Sequence, residues 1–140
     1  MPTVLVIEDD DAIRVLISAL CHRLGLVVDV ACDGAEGVAL IRKRNYDALL
    51  LDLMLPKVNG FEVLREVRAS APSLLSRTII VTAVSDSTLR DFDGGGTLVL
   101  LRKPFDIADL HDALVACTGC REAPRLSPFT VRASASRDSR

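Results

Sequence analysis

The sequence predicts an α/β protein with a doubly wound, five-stranded parallel sheet and helices on both faces. Short apolar runs alternate with amphipathic stretches over the first 120 residues, and the runs are rich in Val, Ile and Leu. Such runs are typical of strands that are covered on both faces, as in a parallel sheet. Strands and helices that alternate at this spacing favour right-handed crossover connections.

Each of the five apolar runs is predicted to be a strand. In chain order they are residues 4–7, 27–30, 48–51, 79–81 and 98–101. Asp29 interrupts the second run, which indicates a strand at the edge of the sheet. With the second strand at the edge, the carboxyl ends of the other four can converge.

The segments between the strands are predicted to be helices, because their apolar residues recur every three or four positions. The predicted helices cover residues 11–24, 34–44, 60–70 and 106–117, with a weak additional helix over 85–93. Three consecutive glycines end the weak helix, and glycine costs about 1 kcal/mol relative to alanine inside a helix.

The first helix has the clearest pattern. Its predicted buried face contains Ile13, Leu16, Ile17, Leu20 and Leu24. Either Asp10 or Asp11 is expected to cap its start, since aspartate oxygens accept from free helical N–H groups, and Gly25 is expected to end it.

Length and composition limit the class of protein. The chain has 140 residues, of which 49% are hydrophobic, and a formal net charge of -2. One domain over residues 1–120 can therefore bury a core without metal or disulfide cross-links. The small net charge gives no general case for binding nucleic acid or a membrane surface.

The two ends of the chain carry weaker signals. Residues 121–140 contain five arginines and almost no apolar pattern, which predicts a flexible basic tail or linker remnant. The start lacks the basic region of a signal peptide, and no apolar stretch approaches the roughly 20 residues that span a bilayer. We expect a cytoplasmic protein with free thiols at Cys21, Cys32, Cys117 and Cys120.

Polar residues follow four of the five predicted strands. Glu8–Asp9 follows the first strand, Asp52 the third, Thr82 the fourth and Lys103 the fifth. Ligands of open α/β sheets bind beyond the carboxyl ends of the strands. These side chains are therefore expected to form one site.

Asp52 is the most informative of these residues, because it lies among leucines, where an unpaired carboxylate is costly. The alternative is that it only caps a helix or is a surface aspartate with satisfied hydrogen bonds. Glu8 and Asp9 beside Asp52 would form a cluster of carboxylates that repel one another. A divalent cation relieves this repulsion, and Mg²⁺ fits because it takes one or two carboxylates, keeps several waters and accepts phosphate oxygens.

Thr82 and Lys103 extend this prediction. Taken singly, a threonine at a strand end is usually structural, and a lysine is more often a solvated surface charge. Beside a carboxylate cluster with bound metal, however, a hydroxyl and an ammonium group form a site for a phosphoryl group, whose oxygens they orient and neutralise.

Four motifs in the chain resemble the receiver domain of two-component response regulators, the CheY-like family. They are Val4–Asp10, Asp52–Pro56 with Asn59–Gly60, Val81–Ala83 and Lys103–Phe105. The resemblance covers residue 3 to about residue 118 and implies the flavodoxin-like strand order 2-1-3-4-5. It implies a phosphorylation-controlled signalling protein, here a stand-alone regulator of an unknown downstream protein, and not a turnover enzyme.

The resemblance implies that Asp52 accepts a phosphoryl group from a sensor histidine kinase or a phosphotransfer protein. It implies Mg²⁺ as the cofactor, bound by Asp9 and Asp52, by Glu8 through water, and by the backbone carbonyl of Met54.

The resemblance also assigns the other side of the site. Thr82, Ala83 and Lys103 would bind the phosphoryl group. Lys103 would pair first with Asp52 and then with the phosphoryl group, and Thr82 would move toward that group and report its arrival. The peptide bond between Lys103 and Pro104 would be cis, which is the state of only about 5–6% of such bonds in general.

Some positions depart from the family pattern. Leu100 stands where the family usually has an aromatic residue, so an aromatic switch coupled to Thr82 is excluded. This departure keeps open an alternative, a receiver-fold adaptor that does not depend on phosphate. A phosphatase with an aspartate nucleophile would need an acid at position 54, where the chain has Met54. With Met54 and Val84 beside the site, slow autodephosphorylation is expected.

Three further features are expected to carry no chemistry. The Cys117–Cys120 pair lacks a second pair of ligands for a zinc site. His111 is expected to be a surface residue. The arginines of the tail are scattered, with Phe129 as the one aromatic residue among them, which argues against nucleic-acid binding.

Overall fold

A computed structural model describes residues 2–83 and 99–119 of the chain. Within these ranges it contains five strands and four α-helices. In chain order they are β1 (Thr3–Ile7), α1 (Asp11–Arg23), β2 (Val27–Ala31), α2 (Gly34–Lys43), β3 (Ala48–Leu51), α3 (Gly60–Ser70), β4 (Thr78–Thr82), β5 (Val99–Arg102) and α4 (Ile107–Thr118). The predicted weak helix over 85–93, Val84, Cys120 and the predicted tail lie outside the described residues.

The strands form one parallel sheet in the order β2-β1-β3-β4-β5. This order confirms the prediction, including the edge position of β2. Asp29 of β2 is tolerated at that edge because it accepts a hydrogen bond from the Tyr46 hydroxyl at 2.7 Å and an ion pair from Arg44 at 3.1 Å.

Helices cover both faces of the sheet, and each central strand contributes to both layers. Leu5 and Ile7 of β1 pack with α2 and α3, whereas Val4 and Val6 pack with α1 and α4. The same alternation explains why the interior positions of the central strands are apolar, since neither face meets water.

Local capping sets where the helices begin. Asp10 caps α1 by accepting from the amide of Ile13 at 3.0 Å. Asn59 and Glu62 form a reciprocal capping box at the start of α3, which satisfies two backbone donors. Gly25 follows α1 with a φ of 78°, the left-handed conformation that a glycine after a helix adopts most easily.

Three details differ from the sequence prediction. Leu16 is 44% exposed, because it lies at the margin of the apolar stripe of α1, and Cys21 occupies the buried face instead. His111 is buried in α4, where its Nδ1 lies 3.2 Å from the Asp112 carboxylate, so it is not a surface residue. A 3₁₀ helix over Pro72–Arg77, which periodicity did not predict, joins α3 to β4.

The described cysteines Cys21, Cys32 and Cys117 are free thiols. In residues 2–83 and 99–119, no helix is both long and apolar enough to cross a membrane.

Candidate functional site

The carboxyl ends of four neighbouring strands meet at one edge of the sheet. Ile7 pairs with Leu51, so the residues after β1 and β3 emerge side by side. Leu51 pairs with Ile80, and Thr82 pairs with Arg102, which brings the ends of β4 and β5 to the same edge. The predicted convergence of Glu8, Asp9, Asp52, Thr82 and Lys103 on this edge follows from the register.

Three carboxylates form a cluster at this edge. One oxygen from each of Glu8, Asp9 and Asp52 lies within 4.8 Å of the other two. Glu8 is 2% exposed and Asp52 is 5% exposed, whereas Asp9 faces solvent. Two buried carboxylates at this separation repel each other and are shielded from hydration. They therefore need a nearby cation.

Lys103 supplies a positive charge to the cluster. Its Nζ lies 2.9 Å from Asp52 Oδ2 and 3.0 Å from Glu8 Oε1, and its side chain is 17% exposed. Burial would lower the pKa of Lys103, but the hydrogen bonds to Asp52 and Glu8 outweigh burial and raise the pKa above its ordinary value. The lysine is therefore charged and shared between both acids.

The pKa of Glu8 lies above its ordinary value in this cluster. Burial raises its pKa to about 7, the hydrogen bond from Lys103 opposes the rise, and the charge of Asp52 adds to it. One ammonium group thus does not fully compensate two buried carboxylates.

The backbone around Asp52 is closely supported. The Asp52 amide donates to the Ile7 carbonyl at 3.1 Å, and the Met54 amide donates to Asp52 Oδ1 at 2.9 Å. A side chain at Gly60 would place its Cβ 2.3 Å from the Leu53 Cα, which is not possible without movement of the backbone. The glycine therefore lets α3 start directly against the loop that carries Asp52.

The remaining predicted residues border the cluster. Thr82 is buried at the end of β4, and its carbonyl accepts from the Lys103 amide at 2.9 Å, while Ala83 is exposed. The Lys103–Pro104 peptide bond is cis. Leu100, at the position of the family aromatic, is 46% exposed on β5.

Sequence reasoning missed Arg14, whose Nη1 donates to the Glu8 backbone carbonyl at 2.9 Å. The available signal was a basic residue in the first turn of α1, three positions after Asp11, which is the last of four consecutive acids.

The donor set fits Mg²⁺. It consists of hard carboxylate oxygens from three residues that lie within reach of one another. Mg²⁺ binds through few carboxylates and retains waters, and the exposed Asp9 leaves the cluster open to solvent on one side.

This fold and site define a flavodoxin-like α/β protein with an acidic cluster and a lysine at the carboxyl edge of its sheet. Residues 4–115 match the family model described as the response regulator receiver domain. The chain belongs to this family, whose members are phosphorylation-controlled parts of two-component signalling and interact with histidine kinases or phosphotransfer proteins.

Two curated proteins illustrate the range of relatives. The chain is 37% identical over 112 residues to the DNA-binding dual master transcriptional regulator RpaA of Synechocystis, a match that covers 79% of this chain and 46% of that protein. It is 28% identical over 112 residues to sporulation initiation phosphotransferase F of Bacillus subtilis, with 79% and 89% covered. The chain spans about half the length, or less, of the transcriptional regulators that it matches.

A solved structure shows the same fold. It is the receiver domain of a sensor histidine kinase from Pseudomonas aeruginosa PAO1, with a magnesium ion coordinated in its active site cleft. The two chains are 30% identical and superpose with a TM-score of 0.74, over 84% of this chain and 98% of that one.

Proposed function

We propose that Asp52 accepts a phosphoryl group from a histidine kinase or a phosphotransfer protein, and that the phosphorylated domain regulates a partner protein. The observation that carries the proposal is the contact of one lysine ammonium with the buried Asp52 and Glu8 carboxylates. This arrangement balances negative charge before transfer and leaves a cation beside the place where further negative charge arrives.

The proposed step is an in-line displacement. An oxygen of Asp52 attacks the phosphorus, a new O–P bond forms, and the bond from phosphorus to the donor breaks with its electron pair left on the donor. Such transfers need positioning and charge neutralisation more than covalent machinery. The 2.9 Å bond from the Met54 amide to Oδ1 orients the Asp52 carboxylate for this attack.

The residues around Asp52 would hold Mg²⁺ and bind the transferred phosphoryl group. Asp9, Asp52, the Met54 carbonyl and, through water, Glu8 would hold Mg²⁺, which would supply positive charge to the phosphoryl oxygens. Lys103 would pair with the phosphoryl group after transfer, and Thr82 would donate its hydroxyl to it. Thr82 lies at the end of β4, beside the strand that leads into Asp52, which supports this placement.

We propose that the domain is a phosphoacceptor and not a turnover enzyme, since the nucleophile itself retains the transferred group. RpaA is named as DNA-binding, but this chain matches only 46% of its length, so DNA binding is not carried over to this chain.

Intact-mass measurement tests the proposal. The protein is incubated with acetyl phosphate and Mg²⁺, and wild type is compared with Asp52→Asn and with Asp112→Asn, an exposed aspartate outside the cluster. We expect one phosphoryl adduct on wild type and on Asp112→Asn, and none on Asp52→Asn. An adduct that persists in Asp52→Asn would show that the acceptor is another residue.

The exposed Leu100 in place of an aromatic residue favours a second candidate, an adaptor that binds its partner without phosphate. The same experiment separates the two candidates, because this alternative predicts no adduct on wild type. Affinity capture with phosphorylated and unphosphorylated protein would then show whether partner binding depends on phosphate.

A further inference from the structure

Arg14 lies beside the acidic cluster without belonging to it. It is in the first turn of α1, and its side chain is 16% exposed. One end of the guanidinium donates to the backbone carbonyl of Glu8 at 2.9 Å, and the other end pairs with the carboxylate of Asp11. The side chain therefore connects the end of β1 to the start of α1.

The Glu8 carbonyl lies where β1 has ended. The preceding backbone groups are held by the sheet, since the Ile7 carbonyl accepts from Asp52 and the Glu8 amide donates to Ala31 at 3.1 Å. Glu8 itself is buried, so its carbonyl needs a donor at the point where the chain turns from strand to helix. Arg14 provides that donor.

We propose that Arg14 is a positioning residue that holds the backbone of Glu8 and Asp9 so that their carboxylates face Asp52, and that it thereby determines the Mg²⁺ affinity of the cluster. This inference rests on the magnesium site of the proposed function. Partners that orient ligands in this way, although they do not touch the metal, commonly change metal affinity by about 10- to 100-fold.

The charge and the hydrogen bonds of Arg14 have opposite effects on a bound cation. The positive charge repels Mg²⁺, so a purely electrostatic role predicts that its removal tightens binding. The hydrogen bond to Glu8 orders the ligands, so a positioning role predicts that its removal weakens binding. A lysine retains the charge but cannot form the two-ended contact of a guanidinium.

Titration calorimetry with Mg²⁺ therefore distinguishes the two roles. The variants are Arg14→Lys and Arg14→Gln, with Arg23→Lys and Arg23→Gln as controls, since Arg23 is exposed in the last turn of the same helix. We expect both Arg14 variants to raise the Kd for Mg²⁺ by about 10-fold and both Arg23 variants to leave it unchanged. Tighter binding by Arg14→Gln, or wild-type binding by Arg14→Lys, would overturn the proposal.

Two further measurements complete the test. Thermal unfolding without metal detects a merely structural role, because a lower Tm with an unchanged Kd also overturns the proposal. If Arg14→Gln does not fold, Arg14→Lys carries the test. Wild type is titrated first: absence of Mg²⁺ binding there contradicts the metal site of the proposed function itself, whereas wild-type binding with unaffected Arg14 variants contradicts only the inference about Arg14.

Discussion

Lys103 Nζ lies 2.9 Å from Asp52 Oδ2, in a side-chain pair that joins residues 51 positions apart. The same ammonium lies 3.0 Å from Glu8 Oε1, so one cation contacts two buried acids from two other strand ends. Both the stability of the site and its proposed chemistry depend on this contact.

Lys103→Met is expected to destabilise the metal-free protein, because it leaves Glu8 and Asp52 buried without a cation. Loss of one partner of a buried ion pair costs about 3–5 kcal/mol, and the side chain of Lys103 is mostly shielded from water. Urea unfolding followed by circular dichroism at pH 8 with a chelator measures the change.

Lys57→Met is the matched control for Lys103→Met. Lys57 pairs with Asp33 at 3.3 Å, but its side chain is 70% exposed. Exposed pairs contribute about 0–1 kcal/mol, so only a small loss is expected. Equal losses of unfolding free energy in the two variants would show that the buried pair stabilises the protein no more than the exposed pair does.

The stability of the metal-free protein should fall as pH rises from about 4.5 to about 7. Burial raises the pKa of Glu8 in the folded protein to about 7, above its ordinary value of 4.5, so the folded state holds the proton more tightly than the unfolded state does. Folding is then penalised progressively through this window and fully above it. Glu8→Gln removes the penalty and is expected to gain about 3 kcal/mol at pH 8 and little at pH 4.

Unfolding free energies across this pH range check the prediction for Glu8. Glu66→Gln is the control, because the hydrogen bond from Arg42 lowers the pKa of Glu66 and its substitution should give no gain at high pH. At saturating Mg²⁺, wild type should have a higher free energy of unfolding than Glu8→Gln, because the ion stabilises only a folded protein that binds it. A flat wild-type profile would contradict the prediction.

Gly60→Ala is expected to destabilise the protein and to impair phosphorylation together. The new Cβ would lie 2.3 Å from Leu53 Cα and 2.6 Å from the Asp52 carbonyl oxygen, so the loop or α3 must move. Overpacking against backbone costs about 1–3 kcal/mol. Denaturant unfolding and the rate of adduct formation with acetyl phosphate measure the two effects.

Gly37→Ala serves as the comparison for Gly60→Ala. The three atoms nearest to its Cβ would all belong to the side chain of Ile7, with the terminal Cδ1 nearest at 2.4 Å, and a side chain can change rotamer. A smaller loss and an undiminished phosphorylation rate are expected. If Gly37→Ala slowed phosphorylation more than Gly60→Ala did, phosphorylation of Asp52 would not depend on the close approach of α3 to the Asp52 loop.

The three described thiols should differ in reactivity. Burial raises the pKa of Cys21 to about 12 and that of Cys117 to about 11, so both are protonated at neutral pH, whereas Cys32 is exposed. Because the thiolate is the reactive form, iodoacetamide should modify Cys32 first and the other two only after unfolding. Peptide mapping by mass spectrometry identifies the sites, and early modification of Cys21 would contradict the described packing.

Several parts of the fold and site were predictable because their causes are local in the chain. Apolar runs at β1 and β3 predict buried strands, and the caps at Asp10 and Gly25 define where α1 begins and ends. Asp52 was identifiable because a carboxylate directly after three leucines has few stable environments. The 3₁₀ helix over Pro72–Arg77 was missed, because six residues are too few to show a helical period.

By itself, the sequence determined the alternation of strands and helices, the strand ends that bear polar residues and the family that these motifs resemble. Those properties follow from side-chain periodicity and from residue types at defined spacings. Only the tertiary structure decided that Lys103 contacts Glu8 as well as Asp52, that Arg14 holds the Glu8 carbonyl and that Leu16 is exposed. Contacts and burial depend on which distant segments pack together, and strand order and register settle that in three dimensions.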